Sequence, residues 1–118
     1  MTDVLLTIDV EEDGLFCGRY PQQADGVTNV MCLDRIAGTV RRFGLKPTLL
    51  VTHAVATDTE SCNVLRRWKD EMGAEIGAHL HPWNTPPFDR ERPATEPAAL
   101  ASMTPDVFCR KLDTLKGA

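Results

Sequence analysis

Three short apolar runs alternate with segments patterned as amphipathic helices, and that alternation restricts the chain to parallel βαβ units with right-handed crossovers. The runs are Val4-Leu5-Leu6-Thr7-Ile8-Asp9-Val10, Pro47-Thr48-Leu49-Leu50-Val51-Thr52 and Glu75-Ile76-Gly77-Ala78-His79. The first two are nearly continuous in apolar residues, the pattern of strands buried on both faces. Between them, Leu33, Ile36, Ala37, Val40 and Phe43 recur at helical spacing over about 28–43, and Gly44 follows as a stop. A second helix is expected from about Glu60 to Met72, with Leu65, Trp68 and Met72 inward and Gly73 ending it. Residues 11–27 are acidic and Gly-rich and read as loop. Residues 82–105 hold six of the eight prolines, so 82–104 is expected to be one long Pro-rich loop. Thr104-Pro105 then opens a last helix, with Phe108, Leu112 and Leu115 as its apolar stripe.

At 118 residues the chain is a single domain, 1–118, large enough to bury a core. No apolar stretch is long enough to span a bilayer, so no membrane partner is expected. A net charge of −4 without a basic stripe argues against nucleic acid as a partner. Residues 1–26 carry six acids and one base, while the remainder carries eleven acids and twelve bases. Four of those acids lie within Asp9–Asp13, directly after the first apolar run: a solvated loop or a cation site. Met1 leads straight into that run with no basic leader, so a cytoplasmic location is expected. Cys17, Cys32, Cys62 and Cys109 have no zinc-ribbon spacing and read as free thiols, Cys32 and Cys62 lying in helical patterns at the core or its boundary.

In parallel α/β folds the ligand site lies at the C-terminal ends of the strands. Those ends are Asp9-Val10-Glu11, Thr52-His53 and His79-Leu80-His81, and all three carry metal-capable side chains. On an extended segment His79 and His81 point to the same side, roughly 6.6 Å apart, and can tilt onto one ion. Asp9 and Glu11 share that spacing. One carboxylate can complete a His-His-carboxylate site with an open position, and the other can act as a general base on bound water. The spacing does not assign the two roles. Imidazole and carboxylate donors suit zinc best among divalent metals. His53 either lines the same cleft or is a hydrogen-bonded structural histidine. Trp83, beside Asn84 and just after the histidines, either stacks on a bound substrate or anchors the proline loop.

Taken together, the chain resembles the N-terminal part of the polysaccharide deacetylases, the NodB-homology group also called carbohydrate esterase family 4. Leu6-Thr7-Ile8-Asp9-Val10-Glu11-Glu12-Asp13 is similar to the family's T-F-D-D-G motif in a D-V-E variant. Pro47-Thr48-Leu49-Leu50-Val51 stands where the family has A-T-F-F-V. Glu75-Ile76-Gly77-Ala78-His79-Leu80-His81-Pro82 resembles E-I-G-N-H-[ST]-x-x-H-P, with the histidines two apart rather than four and His-Pro retained. The likeness covers roughly 3–83. It implies the N-terminal part of a distorted (β/α) barrel and a metal-dependent hydrolase of N- or O-acetyl groups on carbohydrate. It also implies Asp9 as catalytic base and Glu11, His79 and His81 as ligands of a divalent metal, with Glu12 and Asp13 as alternative carboxylates. His53, Trp83 and Asn84 are the candidate substrate-lining residues.

A whole barrel takes about 250 residues and eight strands. The domain is therefore expected to be incomplete, a first half lacking the family's arginine-containing loop and its C-terminal acid histidine. An open sheet edge would then favour self-association. A non-catalytic metal- or sugar-binding remnant of the fold is the alternative reading. So is an amidohydrolase acting on non-sugar amides.

Overall fold

The computed structural model describes residues 3–96 and 98–118 and shows an α/β domain built on a three-stranded parallel sheet. Strands β1 (Thr7–Val10), β2 (Thr48–Val51) and β3 (Glu75–Ala78) lie side by side in chain order. A 3-10 helix at Thr28–Leu33 and helix α1 (Asp34–Arg42) connect β1 to β2. The short α2 (His53–Ala56) and the long α3 (Thr59–Met72) connect β2 to β3. Helix α4 (Pro105–Lys116) follows the Pro-rich segment, which holds only a 3-10 turn at Leu100–Ser102 among its described residues.

Register decides what each strand residue faces. Val10, Val51 and Ala78 stand in line across the sheet, as do Ile8, Leu49 and Ile76. On this face Val10, Leu49 and Val51 join Val30, Leu33, Ala37, Val40, Val55, Val64, Leu65 and Trp68 in one core. The alternate residues Thr7, Asp9, Thr48, Leu50, Glu75 and Gly77 point to the opposite face, where none of them is buried. The expectation of strands covered on both faces is thus corrected. Helices cover one face only, and Leu5, ahead of β1, is 92% exposed.

The first helical segment also differs from its expected form. Residues 28–33 wind as a 3-10 helix, whose three-residue period brings Val30 and Leu33 onto one line. The α-helical turns that follow rotate Ala37 and Val40 inward, leaving Ile36 and Phe43 exposed rather than in the stripe. Gly44 and Gly73 take left-handed φ angles of 60° and 63° as the helices end, a conformation glycine adopts without a Cβ clash. Helix α4 begins as expected, with Thr104 Oγ1 accepting the Val107 N–H and Pro105 in the first turn. Its inward face is not purely apolar. Lys111 is buried beside Leu115, and Phe108 is exposed. Pro86 and Pro87 have no N–H and leave loop carbonyls in need of donors, which the Lys111 ammonium supplies at Thr85 O and Pro87 O. All four cysteines are free, and Cys32 is exposed rather than in the core.

Asp58 caps α3 by accepting the Ser61 N–H at 2.8 Å, and that bond holds its carboxyl below the ordinary aspartate range. A depressed folded-state pKa adds stability above the unfolded value, near 3.8, and the gain is lost as pH falls through the folded value. Asp58→Ala should therefore lower the melting temperature at about pH 7 and change it little near pH 2. Equal losses at both pH values in thermal melts would show that the carboxylate charge is not what caps the helix.

Candidate metal centre

The parity that leaves Asp9 on the uncovered face also sets the site. The ladder continues past the strands, with the Thr52 N–H donating to Val10 O and the His79 N–H to Val51 O. Glu11, Thr52 and His79 therefore follow directly from strand ends aligned side by side, and Pro82 turns the chain away after His81. The loops above are braced together: the Tyr20 N–H donates to Ala94 O, and Gln22 bonds the backbone of Arg90 and Arg92.

Glu11, His79 and His81 each present one ligand atom, all within 4.8 Å of one another. His81 Nε2 lies 3.1 Å and His79 Nδ1 3.7 Å from Glu11 Oε2, and His79 Nδ1 lies 3.9 Å from Asp9 Oδ1. Tetrahedral zinc with bonds of about 2.0–2.2 Å holds its ligand atoms about 3.3 Å apart, so small side-chain shifts would close this set on an ion. Asp9 stands at the edge of the cluster, its carboxylate more exposed than that of Glu11.

His81 is held from behind. Its Nδ1 lies 2.9 Å from Glu12 Oε1, and the same carboxylate accepts from Thr52 Oγ1 at 2.9 Å and from Asn84 Nδ2. Burial raises the Glu12 pKa, but the bonds from His81, its own backbone and Thr52, with the His81 charge, outweigh it and keep the carboxyl below its ordinary range. An ionised carboxylate only accepts, so His81 Nδ1 carries the proton and donates. The other nitrogen then meets a second carboxylate oxygen, Glu11 Oε2, at 3.1 Å. Two lone pairs at that distance repel, so a cation, either a proton or a metal ion, must stand between them. His79 Nδ1 is buried with no hydrogen-bond partner among the described residues, again facing Glu11. Both observations fit a metal ion bound by Glu11, His79 and His81.

The other candidates separate cleanly. Glu12 stands outside the three-ligand cluster because its oxygens are taken by His81, Thr52 and Asn84. Asp13 also stands outside it: its carboxylate accepts from the Thr28 N–H and hydroxyl and from the Asn29 N–H, tying down the 3-10 helix. Trp83 stacks on the His81 ring at 4.3 Å and 24°, and Tyr20 meets Trp83 edge-on at 5.2 Å, so Trp83 is a wall behind the His81 imidazole. His53 lies outside the cluster and lines a depression of about 390 Å³ with Asn84, Gln22 and Phe88. Burial pushes its pKa down. Sequence reasoning placed Thr52 at a strand end without giving it a role, and missed Tyr20 and the burial of Lys111. Only Thr52, at a strand end, carried a signal that could have found it.

Glu12→Gln should weaken divalent metal binding by about 10–100-fold, the usual cost of losing a partner that orients a ligating histidine. A glutamine can turn its amide nitrogen toward His81 and no longer demands the Nδ1–H form. Unchanged affinity by isothermal titration would rule out this orienting role.

No protein-family model, curated protein or solved structure matches the chain. No helix among the described residues is long and apolar enough to cross a membrane.

Proposed function

We propose that the chain carries the metal site of a hydrolase that removes acetyl groups from N- or O-acetylated carbohydrate, a polysaccharide-deacetylase-like domain. The observation that carries this reading is the convergence of Asp9, Glu11, His79 and His81 at the C-terminal ends of parallel strands. The strand order β1-β2-β3, with the connecting helices sharing one core, supports the winding of a (β/α) barrel rather than a sheet whose order reverses. The resemblance of Ile8-Asp9-Val10-Glu11 and His79-Leu80-His81-Pro82 to the family motifs supports the same assignment.

Glu11, His79 and His81 would hold the ion, and zinc suits this donor set best. A divalent ion there supplies Lewis acidity toward an acetyl carbonyl and lowers the pKa of a water. Asp9, exposed at the cluster edge, takes the proton from the attacking water. Glu12 keeps the His81 Nδ1 proton in place, and Trp83 with Tyr20 excludes water from the back of that ring. Among the described residues no further histidine stands beside the cluster to protonate a leaving amine. Turnover by the 118 residues alone is therefore expected to be slow.

That same observation favours a second reading, a metal-binding module without catalysis. Acetate release from partially acetylated chitooligosaccharides and from acetylated xylan separates the two. Release that needs added metal and falls about 10²–10⁴-fold in Asp9→Asn, with metal still bound, supports hydrolysis. Metal binding with no Asp9-dependent release supports the binding module.

A further inference from the structure

The Pro-rich segment and α4 enclose a cavity of about 260 Å³ that none of Asp9, Glu11, His79 or His81 lines. Its charged walls are Arg92, Arg110, Lys111 and one carboxylate, Asp89. Lys111 is only 5% exposed. Its ammonium has three N–H groups; the carbonyls of Thr85 and Pro87 are its hydrogen-bond acceptors among the described residues, and Phe88 of the same cavity presents its ring 4.9 Å away. No carboxylate among those residues forms an ion pair with it, so its charge is buried without a counter-ion in contact. Burial accordingly pushes the Lys111 pKa down, with Asp89 opposing the shift and Arg92 adding to it. Arg92 gives Nη2 to Glu96 at 2.7 Å, yet its Nε–H is buried with no acceptor among the described residues. Among the described residues Arg110 reaches only Asp106, one turn earlier on its own exposed surface, at 3.2 Å.

Buried N–H donors are almost always paired, and a buried charge is almost always paired. An ammonium buried without a counter-ion in contact and a buried guanidinium N–H without an acceptor among the described residues, both on one cavity, describe a binding site for the opposite sign. We infer that this cavity is an oxyanion site, taking a phosphate or a small carboxylate between Lys111 and Arg92, with Arg110 at its rim. An ammonium beside a guanidinium suits an oxyanion, because the first supplies a point charge and the second directional N–H donors. At about 260 Å³ the cavity has room for a small acid. The assignment is independent of the metal centre. Without a ligand, the same lysine merely clamps the loop.

Amide spectra of the ¹⁵N-labelled chain test the assignment, with inorganic phosphate, acetate or chloride titrated at constant ionic strength. Saturable shifts of Ser102, Thr104 and Val107 are expected with phosphate or acetate and not with chloride, and the tighter of the two identifies the anion. Arg92→Gln and Lys111→Met should each weaken binding by about tenfold or more, the worth of a charge-assisted hydrogen bond. If Lys111→Met fails to fold, Arg92→Gln and Arg110→Gln decide. Shifts that do not saturate, that chloride reproduces, or that persist with unchanged affinity in Arg92→Gln would overturn the assignment.

Discussion

Zinc or cobalt(II) titrated into the 118-residue chain should bind at one equivalent, and replacing a ligating histidine should cost more than the roughly 10–100-fold typical of an outer partner. The expectation rests on the contact between His81 Nε2 and Glu11 Oε2 at 3.1 Å, which demands a cation once Nδ1 is committed to Glu12. His81→Ala removes the cation site but also leaves Glu12 buried without one of its three partners, so the variant is open to misfolding. His79→Ala keeps the falsifiable arm. His79 is less buried, its Nδ1 has no hydrogen-bond partner among the described residues, and circular dichroism can verify that the variant folds. Protons and metal compete for the same imidazole nitrogens, so affinity should fall on acidification. Equal metal content in wild type and in the folded His79→Ala protein would sink the metal centre, and the hydrolase reading with it.

Trp68→Ala should destabilise the domain by about 3–5 kcal/mol, a large part of the 5–15 kcal/mol that holds a typical domain together. Trp68 is 0% exposed and sits in α3 among Leu49, Val40 and Leu65 of the single core. Its indole N–H also reaches Asp34 Oδ1 of α1 at 3.4 Å, beside the Arg67–Asp34 ion pair, so it ties α3 to α1 as well as to the sheet. Among the described residues no second apolar layer on the far face of the sheet shares the load. Trp68→Phe should lose much less, because it keeps most of the buried area. Urea unfolding followed by the fluorescence of Trp83 reads both variants. A Trp68→Ala protein within about 1 kcal/mol of wild type would mean that this core does not carry the fold.

Much of the architecture was legible because it is written in local periodicity. Runs of alternating or continuous apolar residues marked β1, β2 and β3. Gly44, Gly73 and Thr104-Pro105 marked helix ends, since a glycine stop and a hydroxyl cap act within one turn of chain. The i, i+2 spacing of Asp9 with Glu11 and of His79 with His81 sufficed to put all four on one side. Strand residues alternate faces whatever surrounds them, and parallel pairing brings the C-terminal ends together.

Where the sequence was silent, the missing quantity was always a distance between segments far apart in the chain. Glu11, Glu12 and Asp13 are chemically near-equivalent in sequence. Only the packed structure sends Glu11 to the histidines, Glu12 behind His81 onto Thr52 and Asn84, and Asp13 to the start of the 3-10 helix. Apolar content cannot say whether one or both faces of a strand are covered, so the open face bearing Asp9 looks in sequence like a covered one. Nor does the helical stripe of α4 reveal a lysine in its core, because the carbonyls that draw Lys111 inward belong to Thr85 and Pro87, more than twenty residues earlier. Periodicity is a property of neighbouring residues and survives in the bare sequence. The choice among like side chains is made by which partner each meets across the fold, and only tertiary packing sets that distance.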